Sequence, residues 1–211
     1  MNIMLLLFFS NRHLSHRQRV TIALLIAFLR SMQVPGPFVI VAPLSLLPNW
    51  IETFKQFSNM VTCLIGTEQD REAMYSGRLN KSLYQNGLKN ADYPVIITSY
   101  EVAINDKQKL NKIGPHFIID EGEGFERYRC VLLSSLKCRS AHRWFLPASP
   151  INCCANDMLT LLHFFLPNLF DRSGLALGFL IQIAQKCDKE KRHQIEAKLR
   201  TILNAFTVNG E

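Results

Sequence analysis

The sequence predicts an α/β fold of three layers: a parallel sheet with helices on both faces. Three observations carry this. The runs Phe38–Ala42 ("FVIVA"), Pro94–Ser99 ("PVIITS") and Pro115–Asp120 are short and β-branched. They are almost continuously apolar, as strands covered on both faces must be. Helical segments separate these runs, which is the pattern of crossover units around a parallel sheet. Finally, the chain has 211 residues, 48% hydrophobic and 19% charged. That is a globular balance with length for one sizeable core and too little for two large ones.

Taken in order, Met4–Phe9 ("MLLLFF") reads as a buried strand. It has no basic residue before it and no small-residue cleavage site after it, which argues against a signal peptide. Val20–Leu29 continues as a buried helix to about Met32, and Val34-Pro35-Gly36-Pro37 breaks it. Pro43 ends the strand Phe38–Ala42. Leu47–Phe57 places Trp50, Phe54 and Phe57 at helical spacing, so these aromatics read as a core stripe rather than a stacking platform for bases. Val61–Ile65 is a further strand, and Glu68–Asn90 is polar and helical with a loop inside. Tyr100–Lys112 is amphipathic, Cys130–Leu136 is helical, and Trp144-Phe145-Leu146 is a strand. Met158–Leu166 is a helix stopped by Pro167, and Gly178–Arg200 is a long helix with a charged second half.

The formal charge of +7 permits nucleic-acid binding without establishing it. Six cysteines, at 63, 130, 138, 153, 154 and 187, contain no CxxC pair and are read as reduced thiols of an intracellular protein. Cys153, Cys154 and His163 match no common zinc spacing. No run reaches the ~18 apolar residues of a membrane span.

The stretch "FIIDEGEGF" (Phe117–Phe125) carries the chemistry. In open parallel sheets, ligands bind at the carboxyl ends of the strands. At such a rim one carboxylate can hold Mg²⁺ through water while a second positions the attacking water. An acidic pair can also simply cap a turn or helix start. Around it, "VAPLSLLPNW" (Val41–Trp50), "PVIITSYEVAIND" (Pro94–Asp106), "FIIDEG" (Phe117–Gly122) and "LTLLHFFLPNLFD" (Leu159–Asp171) follow in a fixed order.

In that order and spacing, the chain resembles the first RecA-like lobe of the Swi/Snf-type chromatin-remodelling ATPases, P-loop NTPases of helicase superfamily 2. "VPGPF", "LPNW" and "FKQF" point to the lymphoid-specific helicase branch. The resemblance implies one lobe over 1–211. Its core spans about 3–171, and 172–211 forms a helical extension toward a second lobe that the chain lacks. It implies ATP and Mg²⁺ as cofactors if nucleotide binding survives, double-stranded DNA or the nucleosome as partner, chromatin proteins as further partners, and the nucleus as location. It gives Asp120 the role of holding Mg²⁺ and Glu121 that of activating water. Pro43, Leu44 and Ser45 match one motif that touches the DNA backbone, and Thr98, Ser99 and Tyr100 match a second near it. Ser45 and Thr98 could equally cap loops or helices.

Other positions depart from the family pattern. The phosphate loop G-x-G-K-[ST] falls on Leu14-Ser15-His16-Arg17-Gln18, with both glycines gone, Arg17 for the lysine and Gln18 for the hydroxyl. Backbone N–H groups cradle phosphate only where glycine permits close approach, and a planar guanidinium is not a compact ammonium. Glu123 stands where the family has histidine. The coupling motif T-G-T-P reads Pro147-Ala148-Ser149-Pro150, and its downstream polar pair reads Asn152-Cys153. The arginine finger of such motors comes from the second lobe and is worth orders of magnitude in rate.

The chain alone is therefore expected to hydrolyse ATP poorly or not at all. Two further readings stay open: a non-catalytic module binding DNA or a chromatin partner, and a piece of an active remodeller whose loop-bearing exon has been misread. Arg127, Arg129, Lys137, Arg139 and Arg143 form a basic cluster that either faces DNA phosphates or lies along a solvated helix. Lys186–Arg200 reads as an exposed helix with internal ion pairs.

Overall fold

The computed structural model describes residues 4–8, 16–34, 36–56, 61–79, 84–85, 88–89, 93–113, 116–122, 125–136, 143–146, 155–165, 189–204 and 207–209. The elements are β1 (Met4–Phe8), α1 (His16–Ser31), β2 (Phe38–Ala42), a 3₁₀ turn (Leu44–Leu46) entering α2 (Leu47–Lys55), and β3 (Val61–Leu64). Next come α3 (Glu68–Met74) extended by a π-helical turn (Tyr75–Leu79), β4 (Tyr84–Gln85), β5 (Leu88–Lys89) and β6 (Val95–Ser99). Then follow α4 (Tyr100–Asn105), α5 (Lys107–Ile113), β7 (His116–Asp120), α6 (Phe125–Ser135), β8 (Arg143–Leu146), α7 (Ala155–Phe165), α8 (Lys189–Asn204) and β9 (Thr207–Asn209).

Seven strands form one sheet in the order β3-β6-β2-β7-β8-β1-β9. Every pairing in it is parallel. Side chains alternate across a strand, and the core divides accordingly. Phe38, Ile40, Ala42, Ile97, Ile118 and Trp144 pack against Ile22, Ile26 and Leu29 of α1 and Trp50 and Phe54 of α2. Val39, Val41, Ile96, Phe117, Ile119 and Phe145 pack on the other face against α4 to α7. This is the predicted three-layer α/β architecture.

Local chemistry explains several boundaries. Pro48 sits in the first turn of α2, where its missing N–H has no intrahelical partner to lose. Thr67 and Asp70 form a reciprocal capping box at α3, and this holds the Asp70 carboxyl below its ordinary pKa, chiefly through the Thr67 hydroxyl. Behind it, Gly66 turns the chain at φ 99°, a region open to glycine.

The structure differs from the sequence reading at definite places. α1 starts at His16 rather than Val20, so the phosphate-loop positions Arg17 and Gln18 lie in its first helical turn. The segment Glu68–Asn90 holds one short helix and an antiparallel strand pair, β4 with β5, instead of a helix interrupted by a loop. α6 begins at Phe125, not Cys130. β9 was not anticipated. Of the predicted helix Gly178–Arg200, residues 178–188 lie outside the described residues, as does Phe57.

α3 is not simply an exposed polar helix. Arg71 is 7% and Asp106 4% exposed. Arg71 Nε and Nη2 donate to the two Asp106 carboxylate oxygens at 2.8 and 3.1 Å, and Nη1 donates to the Gly66 carbonyl at 2.7 Å. This bidentate fork ties α3 to the α4–α5 junction. Asp106→Ala leaves a buried guanidinium without its carboxylate and is expected to cost about 3–5 kcal/mol in urea unfolding. Combined Arg71→Met and Asp106→Leu is expected to recover most of that loss.

Candidate functional site

The carboxyl ends of β6, β2, β7 and β8 are level. Ala42 is in register with Ser99, Val41 with Ile119, and Asp120 with Leu146. The first predicted DNA motif, the second and the acidic pair therefore meet along one rim.

Asp120 is the last residue of β7, and its alternation with Ile118 turns its side chain toward the α1–α2 layer. It is 1% exposed. Trp50 Nε1 donates to its Oδ2 at 2.9 Å. Burial is the main influence on the carboxyl and raises its pKa to about 7, against the lowering effects of the Trp50 bond and the Arg19 charge, with Glu121 adding to the rise. Arg19, 9% exposed, stands on α1 one residue beyond Gln18.

Glu121 follows, with its backbone N–H donating to the Leu146 carbonyl at 2.9 Å. Its carboxylate accepts from Arg129 Nη2 of α6 at 2.7 Å. Gly122 then turns the chain against Pro43. A Cβ there would lie 2.4 Å from Pro43 Cγ, so no larger residue fits without movement. The Gly122 N–H donates to the Tyr100 phenol oxygen at 3.0 Å, and the Tyr100 hydroxyl donates to the Asp120 carbonyl. Burial pushes the Tyr100 phenol well above its usual pKa, so it stays protonated.

Beside this turn lies a groove of about 450 Å³ lined by Pro43, Leu44, Ser45, Ser99, Tyr100, Glu101 and Tyr128. Leu44 and Ser45 are exposed at its mouth. Of the predicted DNA-contacting residues the structure brings together Pro43, Leu44, Ser45, Ser99 and Tyr100, but not Thr98. Thr98 is fully buried and its hydroxyl donates to the Leu64 carbonyl at 2.8 Å. The Ser99 hydroxyl caps α4 by accepting from the Val102 N–H at 3.3 Å.

The side chains of Arg17 and Gln18, and Glu123, Ala148, Ser149, Asn152, Cys153 and Cys154, lie outside the described residues. The described members of the basic cluster do not share one exposed face. Arg127 is exposed, Arg129 is bound to Glu121, and Arg143 is a buried β8 residue donating to the Phe164 carbonyl. Lys137 and Arg139 lie outside the described residues.

Trp50, Tyr128, Glu101 and Arg19 complete the site and were not read from the sequence as site residues, and Arg129, read as part of a basic cluster, pairs instead with Glu121. A buried tryptophan must find an acceptor for its N–H, which is the one signal that could have pointed to Trp50. The others depend on how α6 packs on α4 and α1 on the sheet. The donor set suits a hard divalent cation: a desolvated carboxylate whose burial opposes its charge until a cation compensates it. Among the described residues, no group of three or more His, Cys, Asp or Glu is gathered as a metal site, so Asp120 would hold Mg²⁺ chiefly together with water and phosphate oxygens. Nor, among them, is any helix long and apolar enough to cross a membrane.

Fold and rim define an α/β lobe with an acidic pair at a central strand end and a groove beside it. Residues 20–210 match the model of the SNF2-related domain, and the chain belongs to that family. It is 34% identical over 191 residues to the human lymphoid-specific helicase, covering 86% of this chain and 22% of that protein. It is 28% identical over 193 residues to an ATP-dependent DNA helicase of Arabidopsis thaliana, covering 86% and 24%. The chain thus spans about a quarter or less of these relatives. A Sulfolobus solfataricus SWI2/SNF2 ATPase core in complex with dsDNA shares the fold, with a TM-score of 0.65 at 19% identity over 97% of this chain and 40% of that one. A Sulfolobus solfataricus SWI2/SNF2 ATPase core domain gives a TM-score of 0.67 at 18% identity, over 99% of this chain and 39% of that one.

The buried Asp120 carries a pH signature. Its folded pKa, about 7, lies above its ordinary value. The stability it contributes is full below pH 4 and is lost as pH rises through 7. Asp120→Asn removes that loss. In Mg²⁺- and nucleotide-free buffer, its unfolding free energy relative to the parent chain is expected to rise between pH 5 and 8 by an amount on the order of a few kcal/mol. A pH-independent difference contradicts this.

Proposed function

We propose that the chain is the ATP-binding lobe of a Swi/Snf-type DNA-dependent ATPase, working on chromatin in the nucleus, with little ATP turnover of its own. The observation that carries this is the shared rim: the acidic pair and the groove built from both predicted DNA motifs meet through Pro43, Tyr100 and Gly122. Ser45 at the groove mouth, the backbone around it and Arg127 suit contacts to a phosphate backbone, which position DNA without reading its sequence. Mg²⁺, when bound, would neutralise charge between ATP's phosphates, with Asp120 holding it through water and Glu121 orienting the attacking water. Two features set the low turnover. No glycine cradle precedes α1, and Arg129 holds the carboxylate that must aim the water.

That same Arg129 contact favours a second reading, a non-catalytic module that binds DNA or a chromatin partner through the groove.

The test combines a DNA-binding titration with a DNA-stimulated ATPase assay on the purified chain. Binding to a short duplex is expected to weaken steeply with salt, and Ser45→Glu is expected to weaken it about tenfold, or roughly 1.4 kcal/mol. ATP turnover is expected at background. Turnover that Asp120→Asn abolishes would sink the low-activity claim, and absence of duplex binding at low salt would sink the DNA reading.

A further inference from the structure

We infer that Tyr100 is the positioning residue through which an occupant of the groove acts on the acidic pair; this deepens the DNA reading above and rests on it. Tyr100 belongs to both places. Its ring lines the groove beside Ser45 and Tyr128. Its phenol oxygen reaches behind the groove wall, donating to the Asp120 carbonyl and accepting from the Gly122 N–H. Glu121 is the one residue between those two contacts. A displacement of the phenol therefore moves the backbone on both sides of the water-aiming carboxylate.

The ring is held so that it cannot shift alone. It meets Phe125 edge-on at 5.4 Å and an angle of 62° and lies 5.7 Å from the Tyr128 ring, both on α6. Tyr128 donates to Glu101 at 2.5 Å across the groove floor, and the next residue, Arg129, is the partner of Glu121. A phosphate backbone entering the groove meets the Glu101 carboxylate and disturbs the Tyr128–Glu101 bond. Both routes from that bond end at Glu121: one through Tyr100 to its flanking backbone, the other through the α6 turn to its ion pair. One phenol bond is buried and the other part-buried, and together they join two backbone groups in a packed turn, so they transmit displacement rather than absorb it.

Trp50 supplies a reporter. It is fully buried, does not line the groove, and its indole N–H is bonded to Asp120. The chain has two tryptophans, so 5-fluorotryptophan gives two ¹⁹F resonances. The experiment titrates a short DNA duplex into the full chain, with binding followed by anisotropy, and compares the parent with Tyr100→Phe at a saturating concentration for each. The Trp50 resonance is expected to shift on saturation in the parent and to lose that shift in Tyr100→Phe, which keeps the ring and removes the oxygen. A bound duplex with no Trp50 shift, or a shift that persists in Tyr100→Phe, overturns the relay while leaving the DNA reading intact. Absence of duplex binding overturns both. Hydrogen exchange of the Gly122 amide in the unsubstituted chain gives the same answer if the phenylalanine variant does not fold. Its protection changes on duplex binding if Tyr100 couples the two places, and unchanged protection in the bound chain contradicts the coupling.

Discussion

The structure turns on a carboxylate almost wholly withdrawn from solvent. Asp120 ends a central strand with apolar neighbours on both faces, and its side chain is almost fully buried. Removing a carboxylate from water is expensive unless hydrogen bonds and opposite charge compensate it. The Trp50 N–H and the Arg19 charge compensate in part, and burial still dominates. A fold under no functional demand would place an apolar residue here, as it does at Ile118 and Ile119 two and one positions earlier. The uncompensated remainder holds the Asp120 pKa well above its ordinary value, and the rest of the rim packs around this residue.

The second constraint is steric. Gly122 must be glycine because Pro43 occupies the space of its Cβ, and this contact brings the end of β2 against the turn after β7. Tyr100 closes the same turn from the other side with two hydrogen bonds. Groove and acidic pair are therefore one packed unit. Proteins respond to such contacts in steps rather than by smooth deformation, because close-packed interiors hold discrete arrangements. The Glu121–Arg129 pair adds a second element: an ion pair at 2.7 Å that fixes the Glu121 carboxylate against α6.

Much of the fold was legible because it follows from period and burial. "FVIVA", "PVIITS" and "HFIID" are apolar through their middles since both of their faces are covered, and the Trp50–Phe54 spacing marked the inner stripe of α2. What was not legible depended on distant partners. β4, β5 and β9 are two or three residues long, too short for a period to show, and exist through pairing. Arg71 looked like surface on a polar helix, and only Asp106, 35 residues away, makes its burial tolerable. Arg143 looked like part of a basic face, yet it starts a buried strand whose neighbour in space is the Phe164 carbonyl. At the site, the order of motifs located Asp120, Glu121, Pro43 and Tyr100. Their partners Trp50, Arg129 and Tyr128 come from packing between layers. Thr98 shows the limit of motif reading: within a motif assigned to DNA, its hydroxyl serves the neighbouring strand.

The most direct test of the desolvated carboxylate is a ¹³C NMR titration of the Asp120 side chain in the folded chain without metal or nucleotide. The structure predicts a midpoint at about 7. A midpoint near 4, in the ordinary aspartate range, would mean that solvent or a compensating charge offsets the burial of Asp120, and the account of a desolvated carboxylate at the centre of the rim would be wrong.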